Sequence, residues 1–214
     1  MKQETKMDNH TKTAKAAIPA APVMNQTSSE IQKFGTRFPV PLGLEDKVCE
    51  ESISNLNRIL ADTMTLRDLY KKCHWQTSGA TFYQLHLLFD KHYTEQAELV
   101  DLIAERIQVL GGISVAMASE VVELSKIEIP PTGREEVPAQ ISRLVAAHEV
   151  IFKFVRKAAK RASEGDDEGT ADLLVSSVIR TNELQTWFIS EHLVSLSPTE
   201  ANLPEAKLND TSKH

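Results

Sequence analysis

Residues 82–112 read FYQLHLLFDKHYTEQAELVDLIAERIQVLGG, and they contain the clearest helical pattern in the chain. The apolar side chains of this stretch recur mostly every three or four residues, which places them on one face of a helix. That stripe consists of Phe82, Leu85, Phe89, Tyr93, Val100, Ile103, Ile107 and Leu110. Gly111 and Gly112 follow it, and glycine commonly ends a helix. The pattern predicts one long helix over residues 81–110.

Similar periodicity predicts three more long helices on either side of this one. We expect the first over residues 45–74, the third from Pro138 to residue 163, and the fourth over residues 171–196. Residues 113–136 form a long connection with a short helix over 118–125. Such a crossover lets the second and third helices run in the same direction, as in ferritin-like bundles. The sequence therefore predicts an all-α four-helix bundle, with no strand pattern or internal repeat.

Composition favours one intracellular domain with loose ends. The 214 residues are 41% apolar and 6% aromatic, which suits a single helical core. We expect no membrane span, because no run of about 18 apolar residues occurs. The N-terminus lacks a secretory signal, so we expect a cytoplasmic protein in which Cys49 and Cys73 are free thiols. We predict a flexible arm at 1–42, the bundle at 43–196 and a loose tail at 197–214.

Charge is distributed unevenly along the chain. The net charge is −6, yet residues 1–42 carry six Lys or Arg against three Asp or Glu. The arm is therefore mildly basic and the bundle acidic. The arm's candidate DNA contacts are Lys2, Lys6, Lys12 and Lys15. The alternatives are a solvated tail, or metal binding through Asp8 and His10.

The second helix contains two pairs of potential metal ligands. His86 and Asp90 are four residues apart, as are Asp101 and Glu105, so each pair lies on one helix face. Adjacent carboxylates repel unless a cation compensates them, and histidine with carboxylates suits iron among other metals. However, the eleven residues from Asp90 to Asp101 span about 16 Å, so one chain cannot bring all four side chains to one ion.

A second copy of the chain resolves this separation. If two such helices pack antiparallel around a two-fold axis, each His86–Asp90 pair meets Asp101 and Glu105 of the other copy. His74, at the end of the first helix, can add another nitrogen. A site within one subunit would instead favour Glu-x-x-His motifs, and none occurs. The alternative is structural: Asp90 pairs with a nearby lysine, and the other two acids form a solvated face.

These residues give the chain a resemblance to a known family. The run His74-Trp75, Phe82, His86 and Asp90, followed by the stretch 101–112, resembles the Dps family, the miniferritins or DNA-binding proteins from starved cells. The resemblance covers about residues 45–195. It implies a hollow homododecamer that stores ferric mineral, with di-iron ferroxidase centres at its dimer interfaces.

The resemblance also implies roles for individual residues. The ligands would be His74, His86 and Asp90 from one subunit, with Asp101 and Glu105 from its two-fold partner. Trp75 and Lys71 would lie beside the centre, although a packed interface aromatic and a surface charge are the alternatives. The implied activity is Fe(II) oxidation with hydrogen peroxide, which would protect DNA from oxidative damage. The competing function is nucleoid compaction through the lysines of the arm.

An acidic stretch supplies the last candidate site. ASEGDDEGTADLL, residues 162–174, contains five Asp or Glu side chains. In Dps proteins this region lines channels that admit Fe(II), so we predict that Asp167 and Asp172 line such a pore. The alternative is that these acids favour the N-terminus of the fourth helix.

Overall fold

The computed structural model describes residues 29–194, and their regular secondary structure is helical. Three long helices are α1 (Asp46–Gln76), α2 (Phe82–Val109) and α4 (Val137–Glu164), and the short α3 (Ala118–Leu124) lies in the crossover. The fourth long helix consists of α5 (Glu168–Asp172), a π segment (Leu173–Ile179) and α6 (Arg180–Ser190), which follow one another without a break. The predicted four-helix bundle with a short crossover helix is confirmed.

The fourth helix differs from its prediction at both ends. It begins three residues early, because the Asp167 side chain accepts a hydrogen bond from the Thr170 backbone N–H and caps the first turn. It ends in a single 3-10 turn, Glu191–Leu193, and Val194 is already extended. The predicted tail at 197–214 lies outside the described residues.

The core lies between the long helices. α1 and α2 form a hairpin through the short loop at 77–81, and they share the most extensive contact in the bundle. Burying such apolar side chains contributes roughly 1.5–3 kcal/mol each relative to exposure. The largest completely buried side chains are Tyr70, Phe89, Leu56, Ile59, Leu60, Leu66, Leu85, Ile103, Ile107, Leu110, Ile141 and Leu144.

Most of the predicted stripe of α2 is buried, Tyr93 and Val100 in its middle are partly buried, and its first residue is exposed. Leu85, Phe89, Ile103 and Ile107 are fully buried, whereas Phe82 is 44% exposed. Phe82 is the first residue of α2, and its ring lies 5.1 Å from that of His86 between centroids. Phe82 therefore lies outside the core, and its ring contact is with a candidate metal ligand.

Two polar side chains of α1 hold the crossover in place. Asn57 donates to the Ile113 carbonyl at 3.0 Å and accepts from the Val115 N–H at 2.8 Å. One turn and a half further along, buried Asp62 accepts from the Lys126 N–H at 2.6 Å. Each bond gives a partner to a backbone group of the crossover that has none in a regular helix or strand. The long connection is thus fixed near both ends of α3.

A layer of polar side chains crosses the middle of the core. Buried polar groups require hydrogen-bond partners, and most of this layer is bonded within itself. Gln96 donates to Gln185 at 2.9 Å and to Asn182 at 3.2 Å. The layer consists of Tyr70, His92, Gln96, His148, Asn182 and Gln185. Its contacts fix the register of all four long helices.

Part of the predicted arm contacts the bundle. The Gln32 side chain and the Phe38 N–H both donate to the Gly111 carbonyl, at 2.9 and 2.8 Å. Gly111 has a φ of 84°, and a Cβ there would lie 1.9 Å from the Phe38 carbonyl oxygen, so only glycine fits this close approach. The arm lysines lie outside the described residues, and the boundary at residue 42 stays a prediction.

No helix within residues 29–194 is long and apolar enough to cross a membrane. Cys49 and Cys73 are both buried free thiols, and burial raises the pKa of Cys73 to about 12. This thiol is therefore protonated at neutral pH, and Cys73 is inert as a nucleophile.

Candidate metal centre

His74 and His86 face each other where α1 and α2 approach the loop that joins them. Their rings stack with centroids 3.7 Å apart and an interplanar angle of 21°. Nδ1 of His74 lies 2.7 Å from the His86 carbonyl oxygen, and Nδ1 of His86 lies 2.9 Å from the His74 carbonyl oxygen. The backbone of each residue therefore holds the ring of the other.

These reciprocal bonds determine which ring nitrogens can bind a metal. A carbonyl oxygen only accepts, so each Nδ1 carries the proton and donates. In a neutral imidazole, Nε2 then has a free lone pair, which is the form that ligates a metal. A bonded Nδ1 is also the usual means by which proteins orient a ligating histidine. The sequence places both histidines here, but not their mutual bonds.

Asp90 lies one turn after His86 on the same side. Its Oδ1 is 4.0 Å from His74 Nε2, and its side chain is about half exposed. Lys71 donates a hydrogen bond to this carboxylate, and that bond lowers the pKa of Asp90 below its usual value. Asp90 is therefore a carboxylate at neutral pH. The predicted proximity of Lys71 is observed, and so is the structural alternative, an Asp90–Lys71 ion pair.

Asp101 and Glu105 lie exposed further along α2. Neither carboxylate has a hydrogen-bond or ion-pair partner among residues 29–194 of its own chain. Their helical separation from Asp90 remains about 16 Å. Within those residues of one chain, no group of three or more His, Cys, Asp or Glu side chains is placed to hold a metal ion. The structure places the His74 side chain near both His86 and Asp90, although these three do not form a closed metal site within one chain, and it leaves Asp101 and Glu105 apart.

The surface that carries these candidate ligands is partly apolar. Trp75 is 69% exposed, Tyr83 68% and Leu87 50%. Between the two ligand pairs, α2 presents the small side chains of Thr94 and Ala97. Contiguous exposed apolar side chains are typical of protein–protein contacts, and small residues permit close helix approach. This face has the composition of an interface.

Asp167 is the one predicted site residue that the structure contradicts. Its side chain is completely buried, and it accepts hydrogen bonds from Ser52 Oγ at 2.7 Å, Arg106 Nη2 at 2.5 Å and the Thr170 N–H at 3.1 Å. Burial works to raise the pKa of Asp167, but these bonds and the Arg106 charge hold it below its usual value. A buried, fully bonded carboxylate cannot line a pore, so this prediction is wrong.

Asp172 is exposed, in contrast, and accepts a hydrogen bond from Ser176 Oγ at 2.6 Å. The pore role of Asp172 stays a prediction. The polar layer of the core was not predicted from the sequence. Two signals were present: a tyrosine one turn before His74, and a histidine, His148, within the apolar stripe of α4.

Comparison with known proteins places the chain in a family. The family model of the ferritin-like domain matches residues 53–197, which is more than half of the chain. The structure of DpsC from Streptomyces coelicolor is 53% identical, with a TM-score of 0.78, and the match covers 79% of this chain and 98% of that one. The chain therefore belongs to the ferritin-like family, within its Dps branch.

Two further relatives carry informative names. DNA protection during starvation protein 2 of Bacillus anthracis is 32% identical over 67% of this chain and 97% of its own length. The structure of Dps from Vibrio cholerae O1 is 25% identical, with a TM-score of 0.68, over 72% of this chain and 96% of that one. That structure is described as a member of a broad superfamily of ferritin-like diiron-carboxylate proteins.

Proposed function

We propose that the chain is a ferroxidase that binds Fe(II) between two copies of itself and stores the ferric product in a homododecameric cage. One copy supplies His74, His86 and Asp90, and its two-fold partner supplies Asp101 and Glu105. The observation that carries this proposal is the pair of stacked imidazoles, in which each Nδ1 is bonded to a backbone carbonyl and each Nε2 has no hydrogen bond within residues 29–194. A second support is that Asp101 and Glu105 have no partner within the described part of their own chain.

The ligand types suit iron as the substrate. Imidazole binds Fe(II) well, and carboxylates hold both Fe(II) and the harder Fe(III). Each Fe(II) gives up one electron and hydrogen peroxide accepts two, so oxidation of paired Fe(II) ions takes peroxide to water without releasing a hydroxyl radical. Lys71 balances the charge of Asp90 in the metal-free chain and would be displaced from it by a bound cation.

Stopped-flow kinetics of Fe(II) oxidation test this function, on full-length protein first sized by light scattering. We expect a dodecamer that oxidises Fe(II) faster with peroxide than with oxygen and consumes two Fe(II) per peroxide. A monomeric protein would contradict the interface site, and a rate no faster than that of Fe(II) in buffer would contradict the activity. Zinc accepts the same ligand types, so Zn(II) is expected to compete with Fe(II).

Asp172 remains our candidate for the path by which Fe(II) enters the cage. Its exposed carboxylate, repeated around a three-fold axis, would attract cations to an opening. Asp167 instead holds the adjacent turn through Arg106 and Ser52. An Asp172→Asn variant that takes up iron into the cage at the wild-type rate would exclude this path.

DNA binding is the second candidate function. It is favoured by the names of relatives such as the Bacillus anthracis starvation protein, and by the lysines at positions 2, 6, 12 and 15. Many copies of a weakly basic arm on one particle can bind DNA through summed phosphate contacts. Such a protein would work in the cytoplasm beside the nucleoid.

A gel-shift assay at two salt concentrations tests the arm. The truncation should remove only residues 1–28, because Gln32 and Phe38 bond to the bundle. We expect binding that weakens as salt rises and disappears in the truncated protein and in a variant with all four lysines changed to glutamine. Equal binding by the full and truncated chains would exclude the arm. DNA binding without iron oxidation would favour nucleoid compaction.

A further inference from the structure

Tyr70 lies at the centre of the bundle with its hydroxyl directed at a histidine. Both side chains are completely buried. The Tyr70 hydroxyl is 2.6 Å from His148 Nε2, and the two ring centroids are 5.7 Å apart. The metal-binding surface does not include this pair, which joins α1 to α4 across the core.

The surrounding bonds determine the direction of the Tyr70–His148 hydrogen bond. Asn182 Nδ2 donates to the Val178 carbonyl at 2.7 Å, so its amide oxygen is the atom that faces His148 Nδ1, at 2.8 Å. That oxygen accepts, so Nδ1 carries the proton and Nε2 has the lone pair. Burial lowers the pKa of His148 to about 3, so the ring is neutral at pH 7. The Tyr70 hydroxyl therefore donates its hydrogen bond to an unprotonated ring nitrogen.

Such an arrangement makes a tyrosine easier to oxidise. A phenol that loses one electron becomes a strong acid, so its oxidation is favoured when a base already accepts its hydrogen bond. The other two tyrosines of the chain, Tyr83 and Tyr93, have no hydroxyl bond to a base among the described residues. Tyr70 is distinguished from both by its partner and by its burial.

Tyr70 is also close to the candidate metal centre. It lies one turn before His74 on α1, a rise of about 6 Å along the helix. Its ring centroid is 6.2 Å from that of Phe89, the neighbour of Asp90. Trp75 follows His74 directly. An electron can therefore pass from Tyr70 to the region of the centre over a short, packed distance.

We propose that Tyr70 and His148 form a redox-active pair that supplies single electrons to oxidants generated near the metal centre. The oxidant class is the hydroxyl radical, which forms when peroxide meets one Fe(II) instead of two. The radical gains one electron and becomes hydroxide. Tyr70 loses that electron, and its hydroxyl proton moves to His148 Nε2, which leaves a neutral phenoxyl radical beside an imidazolium.

The pair is regenerated by the substrate itself. A further Fe(II) returns one electron to the phenoxyl oxygen and becomes Fe(III), while the proton returns from His148. The net reaction converts one hydroxyl radical and one Fe(II) into hydroxide and Fe(III). Because Tyr70 is buried, its radical cannot couple with a second chain, as a radical on exposed Tyr83 or Trp75 could. The inference rests on the proposed function for the source of the oxidant and of the Fe(II) that acts as reductant. The Tyr70–His148 pair itself does not depend on that function.

Pulse radiolysis of the metal-free, full-length protein tests the pair directly. Azidyl radicals oxidise exposed tryptophan, and we expect the tryptophan radical signal to decay as a tyrosyl signal grows. In frozen samples, electron paramagnetic resonance should show a neutral tyrosyl radical with one hydrogen-bonded proton. The tyrosyl signal should be lost in Tyr70→Phe and retained in Tyr83→Phe and Tyr93→Phe, the matched controls.

A second measurement avoids substitution in the core. The wild-type protein is transferred briefly to deuterated buffer before the radical is generated. The hyperfine coupling of the radical to its hydrogen-bonded proton should persist, because a buried proton exchanges slowly with solvent. Immediate replacement by deuterium, or an unchanged radical in folded Tyr70→Phe, would overturn the proposal. Either result would leave iron oxidation standing, and failure of iron oxidation with an intact tyrosyl signal would overturn only the proposed function.

Discussion

The double variant Asp101→Asn, Glu105→Gln is expected to lose the fast, peroxide-dependent oxidation of Fe(II), with a fall in rate of about 100-fold. The changes keep the size of both side chains and remove two negative charges from the proposed site. Both residues are exposed and unpaired within the described part of the chain, so the fold should be unaffected. The measurement is stopped-flow absorbance of ferric product after mixing with Fe(II) and peroxide.

A matched control separates ligand loss from a general change of charge. Glu98→Gln with Glu123→Gln removes the same two charges from exposed acids, one of them on α2. This control is expected to keep the wild-type rate. Wild-type kinetics in the Asp101 and Glu105 variant would show that these carboxylates form a solvated face and would refute their assignment as ligands.

Replacing Arg106 by methionine is expected to lower the free energy of unfolding by about 3 kcal/mol. Arg106 is the charged partner of buried Asp167, and its Nε also donates to Thr170 Oγ1 at 2.9 Å. Without Arg106, the Asp167 carboxylate stays in the core with only neutral donors. Breaking a buried ion pair in this way costs far more than breaking an exposed pair. Urea unfolding followed by circular dichroism measures the change.

Two comparisons make the Arg106 result specific. Arg161 pairs with Glu51 on the surface, so Arg161→Met should have little effect on stability. Adding Asp167→Asn to Arg106→Met should recover part of the loss, because the buried charge is then removed. If Arg106→Met unfolded at the wild-type urea concentration, the buried Asp167 carboxylate would not need this arginine for its stability in the core.

The helices and the positions of the candidate ligands were predictable because they depend on residues near one another in sequence. The periodic spacing of Leu85, Phe89, Ile103 and Ile107 defines α2, and all four are buried. The same spacing places His86 beside Asp90, and their contact with His74 follows from the short loop between α1 and α2. The mutual bonds of the two histidines could not be predicted, since they depend on the backbone path of that loop.

The missed features all join distant parts of the chain. The buried Asp167 carboxylate accepts hydrogen bonds from Arg106, 61 residues away, and from Ser52, 115 residues away. Tyr70 meets His148 across 78 residues. In sequence, Asp167 has the pattern of an exposed helix N-terminus and His148 that of an apolar stripe. Only the packed bundle shows which polar side chain finds a partner, because a buried polar group is decided by what surrounds it.

The π segment in the fourth helix is a further feature without a sequence signal. Leu173–Ile179 contains no proline or glycine to disturb the helix. The buried positions continue from Val178 in this segment to Asn182 and Gln185 in α6, which belong to the polar layer. π turns often occur at functional sites, and this one precedes Asn182, the residue that orients His148.

The central claim, a metal centre shared by two chains, is tested most directly by mixing two inactive variants. One carries Asp101→Asn and Glu105→Gln, and the other carries His74→Gln and His86→Gln. If the ligands come from different copies, half of the randomly mixed dimers contain both variants and each of those has one intact site. We predict that the mixed oligomers recover about a quarter of the wild-type rate of Fe(II) oxidation. Mixed oligomers as inactive as either variant alone would show that the ligands act within one chain.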